Sequence, residues 1–211
     1  MRLYTYFRSS AAFRVRIALN LKELAYEPVF VHLAKGEHRA AAFTSVNPQG
    51  LLPTLELDDG TRLNQSLAII EFLDEKYAQK PLLPPTAAEK ARVRSLSYLI
   101  ASEIHPLNNL RVLQHLKRAL GQNEEQVNAW YRHWIADGLG KLESELAGNQ
   151  GRFCHGDEPT MADCCLVPQI FNAKRYSCDL APYPNTMRAF EACMKLEAFD
   201  RAQPSKQPDA E

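Results

Sequence analysis

A chain of 211 residues can form one large or two small domains, and its composition, 45% hydrophobic and 24% charged, is that of a folded protein. The 25 basic residues balance the 25 acidic ones, which argues against a dedicated nucleic-acid-binding protein because such proteins carry excess basic charge. No run of about 18 apolar residues is present and the chain opens into a strand-like pattern, so we expect a cytoplasmic protein without a transmembrane helix or a secretory leader.

Strand-like and helix-like patterns alternate over the first part of the chain. An aromatic run at residues 2–7 favours a strand, whereas Val15, Ala18 and Leu19 recur at helical spacing and favour a helix. The predicted order is strand 2–7, helix 12–22, strand 27–33, short helix 39–46, strands 52–57 and 61–64, and helix 66–77 with Ser66 as its cap. This β-α-β-α-β-β-α order predicts an α/β domain in which helices pack against a mixed sheet.

A proline-rich linker at residues 78–86 divides the chain into two predicted domains, residues 1–80 and 87–211. The second is helical almost throughout, with a long pattern at 87–120 that Pro106 should interrupt, because proline kinks or breaks a helix. Further helices are predicted at 123–147, from Thr160 onwards and at 183–196, and residues 204–211 are predicted to form a loose tail. Thr160 and Asp163 have the spacing of a capping box, with aspartate in place of the usual glutamate or glutamine.

The five cysteines all lie in the last third of the chain. Their number is odd, and the sequence has neither a Cys-x-x-Cys motif nor a cysteine–histidine spacing typical of zinc sites. We therefore expect reduced thiols with mostly structural roles and no bound metal.

Two serines, Ser9 and Ser10, stand between the first predicted strand and the first predicted helix. A helix N-terminus offers unpaired N–H groups and partial positive charge, which together can hold an anion. A thiolate bound there has a lowered pKa, and a serine hydroxyl can donate a hydrogen bond to it. Either serine could equally serve only as the helix N-cap, and the residues alone leave both interpretations open.

Two later strand boundaries have features of a binding site for a peptide-like ligand. Pro53 opens a strand, and a cis bond before it would expose the backbone of Leu52 to an extended peptide, although a trans proline at a strand edge is the ordinary alternative. Gln65 and Ser66 follow a strand and open a helix. Ser66 could cap that helix or bind a carboxylate through its N–H and hydroxyl, with Gln65 as an additional donor.

A polar run interrupts the predicted helical domain around Pro106. His105, Asn108 and Asn109 could line a cleft there, or the two asparagines could satisfy carbonyl groups that the proline frees. His105 could also be a packed histidine without a binding role.

Three arginines, Arg8, Arg111 and Arg175, are far apart in the sequence. A salt bridge of no functional consequence is the default expectation for each of them. If they converge, they suit a substrate with two carboxylates, because arginine binds a carboxylate through two parallel hydrogen bonds.

In this order and spacing the motifs resemble the glutathione transferases, and most closely the zeta class, which includes the glutathione-dependent isomerases of maleylacetoacetate and maleylpyruvate. The resemblance covers nearly the whole chain and rests on residues 8–19, 47–53, 65–66, 105–109, 162–169 and 175–184. Ala11 stands where many zeta-class enzymes have cysteine, so any chemistry assigned to that cysteine is absent. Isomerisation is still expected, because the attacking sulfur comes from glutathione.

The resemblance implies a thioredoxin-like N-terminal domain and an all-α C-terminal domain, assembled as a homodimer. Together with the need to expose the backbone of Leu52, the thioredoxin-like order predicts a cis bond before Pro53. It implies glutathione as cofactor, a small dicarboxylic substrate, and cis–trans isomerisation by addition of the thiolate to the double bond, rotation and elimination. The implied catalytic residues are Ser9, which we favour, or Ser10. For glutathione, the resemblance implies that Leu52 binds the cysteinyl amide and that Gln65 and Ser66 bind the γ-glutamyl end. The implied residues at the glycyl end or the dimer cleft are His38, His105, Asn108 and Asn109. The implied residues for the substrate carboxylates are Arg8, Arg111 and Arg175.

Two other functions remain open at this stage. One is a transferase that conjugates glutathione to halogenated acids or other electrophiles, and the other is a thioredoxin-like binding protein without turnover. The run at residues 107–111 favours maleylacetoacetate over maleylpyruvate only weakly, because the depth of the pocket for the acyl tail cannot be read from the sequence.

Overall fold

A four-stranded mixed sheet organises the first of two structural units, residues 1–83 and 194–211, in the computed structural model, which describes all 211 residues. Its strands are β1 (Arg2–Thr5), β2 (Glu27–Phe30), β3 (Thr54–Glu56) and β4 (Arg62–Asn64), in the spatial order β2-β1-β3-β4. β1 pairs parallel with β2 and antiparallel with β3, which in turn pairs antiparallel with β4. The predicted α/β class and its mixed sheet are confirmed, with strands shorter than the patterns indicated.

Nine α-helices accompany the sheet. A π-helical segment (Leu99–Ile104) and 3-10 turns (Glu37–Arg39, His105–Asn108, Pro204–Lys206) complete the regular structure. The helices are α1 (Ser10–Leu21), α2 (Ala41–Thr44), α3 (Ser66–Lys76), α4 (Ala87–Tyr98), α5 (Leu110–Arg118), α6 (Glu124–Leu146), α7 (Met161–Arg175), α8 (Pro184–Met194) and α9 (Glu197–Ala202). None of them is both long enough and apolar enough to cross a membrane.

A buried ion pair joins the residue that ends α1, Lys22, to α3 in the first unit. Lys22 Nζ lies 2.8 Å from Asp74 Oδ1, and Asp74 also accepts hydrogen bonds from the N–H groups of Leu82 and Leu83. Because each buried charge has a partner, the desolvation cost of the pair is offset. The same carboxylate thereby fixes the middle of the proline-rich linker within the first unit.

The second unit, residues 84–193, is entirely helical, and Pro106 interrupts its first long helical run as expected. α4 passes into the π-helical segment and then into the 3-10 turn that contains Pro106, because proline lacks the N–H that a regular α-helix needs. α5 begins only after Asn109 has capped it.

The capping box at the start of α7 is confirmed. Asp163 is fully buried and accepts hydrogen bonds from the N–H and hydroxyl of Thr160, both at 2.8 Å, and from the N–H of Cys154 at 2.9 Å. Burial raises the pKa of this carboxyl, and the hydrogen bonds oppose the rise. The five cysteines are all free thiols, four of them buried and Cys178 half-buried.

The chain end departs from the predicted domain division. Residues 194–211 belong to the first unit, although the sequence assigned them to the helical domain, and 204–211 are bonded to it rather than forming a loose tail. Arg16 donates to the Ala202 carbonyl from Nε and Nη2 at 3.1 and 3.0 Å, and the Phe7 N–H donates to Asp209. The polar composition of the segment does not reveal these contacts, because the donors lie 186 and 202 residues away in the sequence.

Candidate active site

Ser9 closes a turn at residues 6–9, the Ser9 turn, and is the N-cap of α1. Its Oγ accepts a hydrogen bond from the Ala12 N–H at 3.2 Å, and its N–H donates to the Tyr6 carbonyl at 2.9 Å. Capping by Ser9 is therefore confirmed, and Ser10 is the first residue of the helix. A hydroxyl both accepts and donates, so the cap leaves the Ser9 proton available to an anion. The capping role and the anion-binding role are compatible.

Arg16 holds the Ser9 turn from within the protein. Its guanidinium is fully buried and donates to the carbonyls of Tyr6 and Phe7, at 3.3 and 3.1 Å, and to the Thr5 hydroxyl at 3.1 Å. Burial lowers the pKa of Arg16 to about 10, so the group remains charged at neutral pH. The only sequence signal for this role was the presence of arginines on a largely apolar helix, and the sequence analysis did not assign Arg16 to the site.

The loop before β3 presents free backbone groups, as a peptide-binding edge does. The Leu52–Pro53 bond is cis, which confirms that prediction, and neither the N–H nor the carbonyl of Leu52 takes part in backbone pairing within the chain. Asn47 organises the loop by donating to the Leu51 carbonyl at 2.8 Å and to Thr54 Oγ1 at 3.1 Å. The free amide of Leu52 is thus available to pair with an extended ligand.

The start of α3 differs from its predicted form in a way that favours ligand binding. Ser66 is the first helical residue rather than the cap, because Gln65 occupies the cap position and makes no capping hydrogen bond with its side chain. Gln65 has a φ of +70°, uncommon for a residue other than glycine, and its Nε2 donates to Gln49 Oε1 at 3.0 Å. The first N–H groups of α3 thus have no side-chain acceptor, which suits a bound carboxylate.

Arg14 supports the Ser66 hydroxyl. Both side chains are buried, and Arg14 Nη1 donates to Ser66 Oγ at 3.2 Å. Because Ser66 Oγ accepts this bond, its own proton can be donated to another acceptor. Arg14 and Gln49 lie within the segments that carry the family resemblance, but the sequence alone assigned neither of them to the site.

His38 lies beside the loop that contains the cis proline. Its carbonyl oxygen is 3.1 Å from the position that a Cβ would occupy on Gly50. The ring is mostly buried, Nδ1 has no hydrogen-bond partner, and burial followed by the positive charge of Arg39 lowers the pKa of the imidazole. His38 therefore shares the first unit with Ser9, Leu52, Gln65 and Ser66.

His105, Asn108 and Asn109 lie in the second unit, at the break before α5. Asn109 caps α5 by accepting from the Arg111 N–H at 3.1 Å, and its Nδ2 lies 3.5 Å from His105 Nε2. Asn108 donates to the carbonyl of Tyr131 on α6 rather than to a carbonyl freed by Pro106, so of the two alternatives that one does not hold for Asn108. The Oδ1 atom of Asn108 is buried without a partner. Participation of the three residues in glutathione binding stays a prediction.

None of the three selected arginines forms a salt bridge, so the default expectation was wrong for all of them. Arg8 is exposed in the Ser9 turn, with its guanidinium 4.7 Å from the centre of the Phe7 ring. Arg111 is exposed in the first turn of α5, and Arg175 ends α7 with its guanidinium 5.2 Å from the centre of the Tyr176 ring. Their convergence on one cleft stays a prediction, because Arg8 belongs to the first unit and the other two to the second.

Arg175 lines a cavity of about 500 Å³ within the second unit. Lys117 and Arg132 line it as well, against a single acidic residue, Glu124, so its charged lining is positive on balance and suits a carboxylate. Tyr176 stacks on Tyr131 with the ring centres 3.6 Å apart, which fixes the end of α7 against α6. Sequence reasoning missed Lys117 and Arg132, since nothing local relates them to Arg175.

Comparison with known proteins places these features in a family. Residues 8–76 match the family model of the glutathione S-transferase N-terminal domain, and residues 110–192 match that of the C-terminal domain. A probable maleylacetoacetate isomerase of Vibrio cholerae serotype O1 is 48% identical over 210 residues, which cover 99% of this chain and 97% of that protein.

Two solved structures are also similar over their length. The holo structure of a maleylpyruvate isomerase, a bacterial zeta-class glutathione S-transferase, is 46% identical with a TM-score of 0.97 and full coverage of both chains. A maleylacetoacetate isomerase of Anaeromyxobacter dehalogenans 2CP-1, with dicarboxyethyl glutathione and citrate in its active site, is 45% identical with a TM-score of 0.89. That comparison covers 100% of this chain and 97% of the other.

Proposed function

This chain belongs to the glutathione S-transferase family, and we propose that it is a glutathione-dependent cis–trans isomerase of maleylacetoacetate or maleylpyruvate. The products are fumarylacetoacetate and fumarylpyruvate. The observation that carries the proposal is Ser9, whose Oγ caps α1 and keeps a proton available, directly beside the exposed Arg8. A thiolate and a carboxylate can thus be held by neighbouring residues.

Glutathione is the cofactor, and the first unit fits it. The uncapped amides of α3 and the Ser66 hydroxyl suit its γ-glutamyl carboxylate, and the unpaired backbone of Leu52 suits its cysteinyl amide. When bound, glutathione supplies a thiolate that adds to the cis double bond and is eliminated after rotation. Ser9 lowers the pKa of that thiol by donating its hydroxyl proton to the sulfur, while the N-terminus of α1 favours the negative charge.

Arginines serve the dicarboxylic substrate. Arg8 adjoins Ser9 in the chain, so it suits the carboxylate next to the reacting double bond and the charge that develops as sulfur adds. Arg175, in a cavity that also contains Arg132 and Lys117, suits a second carboxylate. Dicarboxyethyl glutathione in the Anaeromyxobacter relative joins the cofactor to a four-carbon dicarboxylate, which supports addition of the thiol to such a substrate.

A relative named as a probable maleylacetoacetate isomerase is 48% identical to this chain, and one named as a maleylpyruvate isomerase is 46% identical. Similarity therefore does not distinguish the two substrates. Our preference for maleylacetoacetate stays a prediction, as do the homodimer and the cytoplasmic location.

The decisive experiment measures the turnover of each cis substrate in the presence of glutathione and, at the same time, the concentration of free thiol. An isomerase requires glutathione and leaves the total thiol unchanged over many turnovers. Stoichiometric loss of thiol would overturn this reading in favour of a conjugating transferase, which halogenated acids would then test. Binding of glutathione without turnover of either substrate or of an electrophile would identify a non-catalytic binding protein.

A further inference from the structure

The last ten residues of the sequence, 202–211, form a C-terminal segment that lies against the Ser9 turn. Phe7, within that turn, donates its N–H to Asp209 Oδ2 across 3.0 Å. The other carboxylate oxygen of Asp209 is buried without a hydrogen-bond partner. The carboxylate therefore accepts its one hydrogen bond from the backbone of the turn, two residues before Ser9, and its negative charge also acts on the guanidinium of Arg16.

Arg16 is a second link between the same segment and the same turn. Its guanidinium donates both to the Ala202 carbonyl, in the segment, and to the carbonyls of Tyr6 and Phe7, in the turn. The N–H of Phe7 is thus held by the segment directly, and its carbonyl is held through Arg16. Tyr6, whose carbonyl also accepts the Ser9 N–H, is fixed by the same guanidinium.

We propose that Asp209 is a positioning residue for Ser9, and that the C-terminal segment is a structural part of the thiolate-binding site. The inference rests on the proposed role of Ser9. Because the Ser9 N–H closes the turn on Tyr6, displacement of the Phe7 peptide moves the Ser9 hydroxyl. A displacement of about 1 Å can reduce a rate on the order of 100-fold, so a hydrogen bond remote from the sulfur can control the reaction.

The segment offers a matched set of variants. Asp209→Ala removes the acceptor of the Phe7 N–H, whereas Asp209→Asn keeps an oxygen in its place. Glu211→Gln is the control, because Glu211 lies in the same segment but bonds His32 and Lys35 rather than the turn. Removal of residues 208–211 is a second test of the same contact, and it removes no residue of the buried core.

Two measurements test the proposal. Amide hydrogen exchange in the ligand-free protein should become faster at Phe7 and Ser9 in Asp209→Ala and in the truncated chain, and stay unchanged in Asp209→Asn and Glu211→Gln. With glutathione bound, Asp209→Ala should raise the pKa of the thiol toward the ordinary value of about 8.5, and kcat should fall about tenfold or more with a smaller change in the KM for glutathione.

Ser9→Ala separates failure of this inference from failure of the proposed function. If Ser9→Ala leaves the thiol pKa unchanged, the role of Ser9 is wrong, and the exchange measurement alone then decides whether Asp209 holds the turn. If Ser9→Ala raises the pKa and Asp209→Ala does not, the positioning role is overturned. Equal effects of Asp209→Ala and Asp209→Asn would show that the negative charge of Asp209, and not its hydrogen bond to the Phe7 N–H, is the cause, which would overturn the proposal.

Discussion

Arg14 Nη1 lies 3.2 Å from Ser66 Oγ, so a buried guanidinium of α1 reaches the first residue of α3. The contact orients the serine hydroxyl as a donor at a helix start whose cap residue makes no side-chain bond. It connects the helix that Ser9 caps with the helix proposed to hold the γ-glutamyl carboxylate.

Ser66→Ala should weaken glutathione binding without changing the pKa of the bound thiol. Loss of a hydrogen bond to a charged group costs about 1.5–3 kcal/mol, which corresponds to an increase in Kd of about 10- to 150-fold. Titration calorimetry measures the affinity, and Ser144→Ala, at an exposed serine that bonds only within α6, is the control. A change in Kd no larger than that of the control would remove Ser66 from the binding site.

Ser9→Ala should show two separable effects. Loss of the N-cap should reduce the free energy of unfolding by about 1 kcal/mol, and loss of the donor should raise the bound-thiol pKa and lower kcat by about 10- to 150-fold. Ser10→Ala should change both less, because Ser10 does not occupy the cap. Denaturant unfolding and a pH titration of thiolate absorbance measure the two effects. A larger pKa change in Ser10→Ala would exchange the assigned roles.

Patterns within single segments predicted much of this fold. The alternation of strand and helix, the interruption at Pro106, the capping box at Thr160 and the cap at Ser9 each follow from the residues within a few positions. The cis proline came instead from the family resemblance and the need to expose Leu52, because no local rule distinguishes it from a trans proline.

The missed features all depend on contacts between distant residues. Arg14, Arg16 and Asp209 have roles only because Ser66, Ala202 and Phe7 are brought against them by folding. Spacing along the sequence does not reveal such pairs, so the cations of α1 received no role and the polar chain end was predicted to form a loose tail. Ser66 was assigned as a cap for the same reason, because the strained backbone of Gln65 is not visible in its residue type.

Glu143 should make stability depend on acid pH. Burial alone would raise the pKa of this carboxyl, but hydrogen bonds from the N–H and side-chain groups of Asn185 and Thr186, at 2.7–2.9 Å, lower it below its ordinary value. A depressed native pKa means that the stabilisation is present above the unfolded value of about 4.3 and is lost as the pH falls through the native value.

Glu143→Gln is therefore expected to reduce the free energy of unfolding at pH 7 by about 1–3 kcal/mol. The difference from the unmodified protein should shrink as the pH falls below about 4, where Glu143 becomes protonated. Denaturant unfolding between pH 7 and pH 3 measures this, with Glu145→Gln, at an exposed glutamate paired with Arg92, as the control. A difference that stays constant over that range would show that the carboxylate charge is not the cause.

The arginines should distinguish a diacid substrate from simpler electrophiles. Arg8→Lys and Arg175→Lys keep the positive charge but lose the planar fork that binds a carboxylate through two hydrogen bonds. Both variants should therefore lose far more kcat/KM on a cis-enedioate than on a neutral or monoacid electrophile. Arg118→Lys, at an exposed arginine of the last turn of α5, is the control and should lose little on either.

The same comparison ranks the remaining basic residues. Arg132 lines the cavity with Arg175, whereas Arg111 does not, so Arg132→Lys should affect the diacid more than Arg111→Lys does. The reverse order would place the second carboxylate at the start of α5 instead of in the cavity. Equal losses on the diacid and on the neutral electrophile, for Arg8 and Arg175 alike, would mean that these arginines support glutathione binding or the fold. Recognition of the substrate would then have to be assigned to other residues.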